Sequence, residues 1–290
     1  DKNPEAGQRK SEILKKIEHG VSPEYDIAYH ISRRILKAHL ETMARLDITY
    51  DLQACESHII RLDFWKSAFQ LLKKKGSVTF AEEGPHKGCW VMGLEDGPEQ
   101  EKIIVRSNGT VTYVGKDIAY QLWKFGLLNQ DFYYKPFYEK DGHTIWITAS
   151  SPTGFDPDFG NARRVYNVID IRQAYPQKVV AQGLRSLNYL EPAENSIHFF
   201  YEMVALSPKS LKELGQHVNE SDQDKNFLEV SGRKGLGIKA DDLLDRMENK
   251  ALAEVEKRNP DFTPEQKRSI SRDIARGALR YFMLKFARNS

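Results

Sequence analysis

Ser231-Gly232-Arg233-Lys234-Gly235 sets two adjacent cations among glycines, inside a run from Glu229 to Leu244 that leads into a helix-like stretch opening Asp241-Asp242-Leu243-Leu244. A small-residue backbone can approach an anion closely. Arg233 and Lys234 would then face a polyphosphate and stabilise charge developing on a departing pyrophosphate. The same composition also suits a solvated surface turn, and the residues alone leave both readings open. A second cationic pattern lies near the end of the chain, where Arg268, Arg272, Arg276 and Arg280 recur at four-residue spacing, roughly opposite Ile270, Ile274 and Tyr281. From Lys257 to Ser290 there are nine Lys or Arg and three Asp or Glu. Such a stripe fits nucleic-acid phosphates, and it equally describes a solvated helix face. The GxxxxGK[ST] phosphate loop, HExxH, CxxC and GxSxG do not occur, and Gly232, Gly235 and Gly237 stand in the wrong order for a dinucleotide fingerprint. The eight histidines are scattered and suggest no metal site.

Elements must position these residues. Asn3-Pro4 is a helix start and Gly20 a stop; Ser22-Pro23 starts a longer second helix, with Ile27, Ile31 and Ile35, then Met43 and Leu46, on one apolar face. Leu46 to Tyr50 is read as a strand and Asp63 to Lys75 as a third helix, so residues 1–76 are mostly helical. Ser77–Phe80, Cys89–Leu94 and Lys102–Arg106 read as short antiparallel strands. Asn108-Gly109, between Ile103-Ile104-Val105 and Val111-Thr112-Tyr113, has the two-residue hairpin signature. Helical spacing resumes at Lys116, and Asp141-Gly142 marks another hairpin in the aromatic stretch from Phe132 to Trp146. A Pro, Gly and Asp loop covers 150–161. Arg164–Ile171, the helix Gln173–Leu187 and Ile197–Leu206 then make a βαβ unit with buried parallel strands, a piece of a doubly wound α/β sheet. Residues 217–226 read as polar and mobile. Asp241–Lys257 and Pro264–Phe286 are closing helices, the second opened by a Thr263-Pro264-Glu265-Gln266 capping box.

Composition sets the outer bounds. The 290 residues allow one large or two modest domains, and 40% hydrophobic with 29% charged residues is ordinary globular usage. Forty-three Lys and Arg against 41 Asp and Glu give +2, so any nucleic-acid footprint has to be local. Two cysteines, Cys55 and Cys89, cannot form a disulfide framework, and no apolar run approaches the roughly 20 residues of a membrane span. A folded cytoplasmic protein with no membrane partner is the expectation.

Several segments carry a resemblance. Glu229 to Leu244 resembles the KMSKS loop of class I aminoacyl-tRNA synthetases, in the Ser-Gly-Arg-Lys-Gly form of some arginyl-tRNA synthetases, followed by that family's Asp-Asp-Leu-Leu. Arg106-Ser107-Asn108-Gly109-Thr110-Val111-Thr112-Tyr113-Val114-Gly115-Lys116-Asp117-Ile118-Ala119-Tyr120 is similar to the family's (R)SDGTxTYxTxDIAY segment. Val168-Ile169-Asp170-Ile171-Arg172-Gln173 resembles the strand that ends in an amino-acid-binding Gln, and Ala278-Leu279-Arg280-Tyr281-Phe282 the GALRYF run. The matches are collinear. No His-x-Gly-His motif occurs, and Glu229 and Gly232 stand where KMSKS has lysines. The resemblance therefore implies the middle and later part of a catalytic domain. That part would be a partial Rossmann-type parallel sheet with a mostly helical N-terminal segment (1–76), a portion with an antiparallel β insertion and the loop (77–260), and a last helix (261–290) leading toward an anticodon-binding domain.

What the resemblance implies chemically is ATP-dependent attachment of arginine to its tRNA through an arginyl-adenylate, with Mg²⁺ arriving on the ATP phosphates and no tightly bound protein metal. Tyr113, Asp117 and Gln173 would hold arginine, a carboxylate being the natural partner of a planar guanidinium. Ser231, Arg233 and Lys234 would act on the phosphates; Glu202, Met203, Val204, Gly232 and Gly235 would contact ATP; Arg268, Arg272, Arg276 and Arg280 would face the tRNA. Read without the resemblance, Asp117 is a helix-start acid, Tyr113 a strand-packing aromatic and Gln173 a first-turn residue. The implied partners are arginine, ATP and tRNA-Arg, and the implied state a monomer. A catalytically silent tRNA-binding module built on the same fold is the alternative.

Overall fold

The structure, a computed structural model, describes residues 4–94, 101–202, 205–213, 223, 225, 228–229 and 239–285. Helices α1 (Pro4–His19) and α2 (Glu24–Arg45) are followed by β1 (Leu52–Gln53), α3 (Glu56–Arg61) and α4 (Phe64–Lys74). Strands β2 (Thr79–Phe80), β3 (Trp90–Gly93) and β4 (Glu101–Val105) form an antiparallel sheet in that order, and α5 (Tyr113–Lys124) comes next. Strand β5 (Tyr133–Lys140) pairs antiparallel with β6 (His143–Ala149), which also takes β1 in parallel. Strand β7 (Val165–Asp170), a 3-10 turn (Ile171–Gln173), α6 (Ala174–Ser186), α7 (Leu190–Glu194) and β8 (Ser196–Tyr201) follow, and β7 and β8 form one sheet. The chain closes with β9 (Ala205–Leu206), α8 (Pro208–Glu213), β10 (Leu228–Glu229), α9 (Ala240–Arg258) and α10 (Pro264–Leu284). The chain is mixed α/β, with partial parallel and antiparallel sheets. Among the described residues no helix is long and apolar enough to cross a membrane.

Two compact units divide the chain: residues 1–35 with 50–200, and residues 36–49 with 201–290. The first is built on three amphipathic helices. Phe64, Trp65, Ala68 and Leu72 of α4 pack with Val114, Ile118, Ala119 and Leu122 of α5 and with Val179, Val180 and Leu184 of α6. Burying each large apolar side chain contributes roughly 1.5–3 kcal/mol. Gly115 lets this packing close, because a Cβ there would stand 2.9 Å from Val111 and 3.1 Å from the Trp65 ring. In the second unit, Arg45 donates to Asp241, Asp245 and Glu248, and Thr42 donates to Asp241. Helix α10 there begins with the expected capping box, Thr263 and Gln266 each accepting the other's backbone N–H.

The two hairpin turns are found where the dipeptides place them, Gly109 at φ 80° and Asp141 and Gly142 both at positive φ. Other expectations are corrected. Residues 46–50 are not a strand: the N–H groups of Leu46, Asp47 and Ile48 bond back to Met43 and Ala44 carbonyls, which ends α2 in a turn. Val111 to Tyr113 contributes only a bridge from Val111 to Val105, because Thr112 caps α5 by accepting the Gly115 N–H. Tyr113 therefore opens a helix rather than ending a strand. Helix α3 escaped the sequence reading because six residues are too few to show a period. The βαβ unit forms, with Val165 N–H on the Asn195 carbonyl setting the two strand starts side by side. Its strands are not buried on both faces, since Tyr166, Val168, Phe199 and Tyr201 are exposed. Ile27, Ile31 and Ile35 of α2 are likewise about half exposed, at 59%, 50% and 49%, so the stripe is real but uncovered. Most of 217–226 lies outside the described residues.

Candidate functional site

Thr112 fixes where α5 begins. Its side chain accepts the Gly115 N–H and donates to the Ile103 and Ile104 carbonyls, tying the helix start to β4. Tyr113 and Asp117 then fall four residues apart on one helical face, with Tyr120 and Lys124 continuing that face. Opposite them, α3 starts after Cys55, whose N–H is held by the Thr148 hydroxyl at 2.9 Å. The same hydroxyl meets Nδ1 of buried His58 at 2.8 Å. Burial, with the charges of Arg33, Arg61 and Lys135 adding to it, lowers the His58 pKa to about 4. A neutral imidazole can accept the hydroxyl proton, so Thr148 is satisfied as both donor and acceptor. This buried triangle sets the first residue of α3, Glu56, toward α5.

Glu56 is the candidate residue that sequence reasoning missed. Lys116 bridges it, at 3.1 Å, to Glu18 of α1. Burial works against the Lys116 charge, but its hydrogen bond to Glu18 and the field of Glu56 outweigh that, and its pKa rises. Asp117 is the inverse case. Burial first, and the Glu56 charge second, raise its pKa from 3.8 to about 6, against weaker pulls from Lys124 and Lys116. Among the described residues no donor bonds to the Asp117 carboxylate. Lys124 lies 4.6 Å over the Tyr120 ring and donates to Asn167 at 3.0 Å, so it too leaves Asp117 without a contact. A partly buried, unpaired carboxylate therefore stands near an exposed one that is held by lysine. Such a place favours a cation, above all one with several forked donors. No motif flags Glu56; only its position at the head of a helix, 61 residues before Asp117, could have suggested it.

The remaining candidates divide. Gln173 is exposed at the end of the 3-10 turn after β7, and among the described residues it has no hydrogen bond to Tyr113 or Asp117. Glu202 is exposed just past β8. Met203, Val204, Ser231, Gly232, Arg233, Lys234 and Gly235 lie outside the described residues. The arginine stripe is not uniform. Arg268 and Arg272 are exposed, whereas Arg276 reaches Asp273 and Asp47, and Arg280 donates to the Leu46 and Asp47 carbonyls. The turn that ends α2 leaves those carbonyls without helical partners, which is why guanidinia settle on them. An open hollow of about 580 Å³ lined by Asp131, Tyr133, Thr153, Gly154 and Phe155 contains none of these residues.

The fold has a clear counterpart. Thermus thermophilus arginyl-tRNA synthetase superimposes with a TM-score of 0.76 at 29% identity, over 99% of this chain and 44% of that one. Plasmodium falciparum arginyl-tRNA synthetase, at 15% identity and a TM-score of 0.60, shares the fold. No family model matches the chain. This is an aminoacyl-tRNA synthetase chain in architecture. Its curated relatives make the assignment narrower: arginine–tRNA ligase of Thermococcus kodakarensis is 33% identical over 99% of this chain, and that of Deinococcus radiodurans 35% identical over 97%. The chain belongs with the arginyl-tRNA synthetases and spans 43% of the length of each of these relatives.

Proposed function

We propose that the full-length protein attaches arginine to tRNA-Arg, activating it with ATP as an arginyl-adenylate, and that Asp117 and Glu56 together select the guanidinium. The observation that supports this most is the unpaired, partly buried Asp117 carboxylate facing a second acid. Free arginine supplies five N–H donors in a plane, enough to satisfy both carboxylates, while a lysine ammonium offers a point charge. Tyr113, one turn before Asp117, would pack against the aliphatic stem, and Gln173 would contact the amino group from the β7 side. Ser231, Arg233 and Lys234 would close with Gly232 and Gly235 over the ATP phosphates and their Mg²⁺, Glu202, Met203 and Val204 would border the adenine, and Arg268 and Arg272 would meet tRNA phosphate. No covalent enzyme nucleophile is needed. Positioning and charge stabilisation carry both half-reactions, in a cytoplasmic monomer.

Arginine-dependent ATP–pyrophosphate exchange in the presence of tRNA tests the reading in the full-length protein. Asp117→Asn is expected to lower kcat/KM for arginine by about a hundredfold or more, with the circular dichroism melt retained. Unchanged exchange would overturn the assignment of Asp117. Absence of exchange in the unmodified protein, with salt-dependent tRNA binding intact, would instead favour the silent tRNA-binding module.

A further inference from the structure

Glu56 stands at the head of a helix that does not set its own start. Helix α3 has six residues, and its N-cap, Cys55, makes no side-chain capping bond. A segment of that length does not hold helical turns in water by itself, so partners elsewhere in the chain have to fix where it begins. Glu56 is also exposed, which leaves its place to the backbone and to the 3.1 Å contact with Lys116 rather than to packing. Whatever pins the first turn of α3 therefore aims this carboxylate.

Strand β6 does the pinning. It takes β1 in parallel, Leu52 opposite Trp146 and Gln53 opposite Ile147, so the chain leaving β1 runs on beside Thr148. Thr148 is fully buried. Its hydroxyl accepts the Cys55 N–H at 2.9 Å, from 93 residues away in the chain, and meets His58 Nδ1 at 2.8 Å. One oxygen thus grips α3 twice, at its cap and at its third residue. A hydroxyl has a single proton to give; with the ring neutral it goes to Nδ1, which turns a lone pair onto the Cys55 amide. Valine at 148 would keep the shape of the side chain and leave the amide and the ring nitrogen without that partner. Strand β6 also pairs with β5, Thr148 opposite Tyr134, so the β5–β6 hairpin carries the grip. An element that gives no side chain to the acid pair holds one of its members in place.

We propose that Thr148 is a positioning residue for arginine selection: its hydroxyl, oriented by His58, fixes the first turn of α3 and so holds the Glu56 carboxylate toward the guanidinium. This role rests on the one given to Glu56 above. Steady-state ATP–pyrophosphate exchange by the full-length protein, with tRNA present, tests it. Thr148→Val is expected to raise KM for arginine about fivefold while kcat and KM for ATP stay within about twofold. Thr148→Ser keeps the hydroxyl and should restore KM. In a Glu56→Gln background Thr148→Val should add nothing, because the group it positions has already lost its charge. His58→Asn leaves the hydroxyl and removes the ring that orients it; arginine KM should rise by about twofold or more, again only while Glu56 is present, and this variant decides the matter if Thr148→Val does not fold. Unchanged arginine KM in both Thr148→Val and His58→Asn would overturn the proposal. So would an equal rise with and without the Glu56 charge, the mark of a general structural loss. Either result, with Glu56→Gln itself impaired, leaves the function proposed above standing, whereas an unaltered arginine KM in Glu56→Gln would remove Glu56 from that function and Thr148 with it.

Discussion

An acid raised to about 6 by burial and by a neighbouring acid is a statement about affinity as well as charge. Only ionised Asp117 can grip a guanidinium. Arginine binding should therefore strengthen as pH rises from about 5 through 6 and level off above 7, with calorimetry as the readout. Glu56→Gln removes the second contributor to the shift, so the midpoint should move down toward the ordinary carboxylate range while affinity at pH 7.5 falls by about tenfold or more. A midpoint that stays put in Glu56→Gln would show that the two acids do not share a site. Tyr113 and Asp117 are legible as a pair because four-residue spacing is local. Glu56 is not legible, because its meaning depends on a contact across 61 residues that no period announces.

At the scale of elements, α3 and α5 carry two titrations of opposite sign. Folded His58 resists protonation down to about 4 whereas the unfolded ring takes a proton near 6.5, so its contribution is complete above 6.5 and is lost as pH falls toward 4. Folded Asp117 holds its proton up to about 6 while the unfolded group releases it near 3.8, so its contribution is present at low pH and is lost as pH rises to 6. Each is worth up to ~3 kcal/mol, and the two nearly cancel between pH 4 and 6.5. Urea melts at pH 4.5 and 7.5 should separate them. Relative to the unmodified chain, Asp117→Asn should gain stability on going to pH 7.5, and His58→Asn should lose its advantage there. Parallel pH profiles in all three proteins would refute the account. The elements themselves were readable where local chemistry decides: the capping box at Thr263, the turns at Asn108-Gly109 and Asp141-Gly142, and α4 from its apolar face. Spacing alone starts α5 at Lys116, whereas it begins at Tyr113 because Thr112, whose residue type also suits a strand, acts as a cap. The apolar runs of the βαβ strands predict burial on both faces, although Tyr166, Val168, Phe199 and Tyr201 are exposed. An apolar pattern records that a face can be covered, not that anything in the same chain covers it.

For the whole molecule, the sequence gives no boundary between the two compact units, because the second takes residues 36–49 from the middle of a long, uninterrupted helical pattern. The division is testable because all four tryptophans, Trp65, Trp90, Trp123 and Trp146, fall in the first unit, so their fluorescence reports that unit alone while far-ultraviolet circular dichroism follows the helices of both. Arg45 is the handle on the second. Its burial opposes the charge, but hydrogen bonds to Glu248, Asp245 and Asp241 more than offset that and raise its pKa above the usual arginine value. Arg45→Met keeps much of the apolar stem and leaves three acids close together with no cation between them. With Arg45 about a third exposed and its two aspartate partners more open, solvent screens part of the effect, and the expected cost is about 1–2 kcal/mol. Thermal unfolding should then show the dichroism transition moving several degrees lower in Arg45→Met while the tryptophan transition stays where it is. High salt should narrow the gap by screening the three acids. If the two signals move together by the same amount, the units unfold as one cooperative body and the division by contacts has no thermodynamic counterpart.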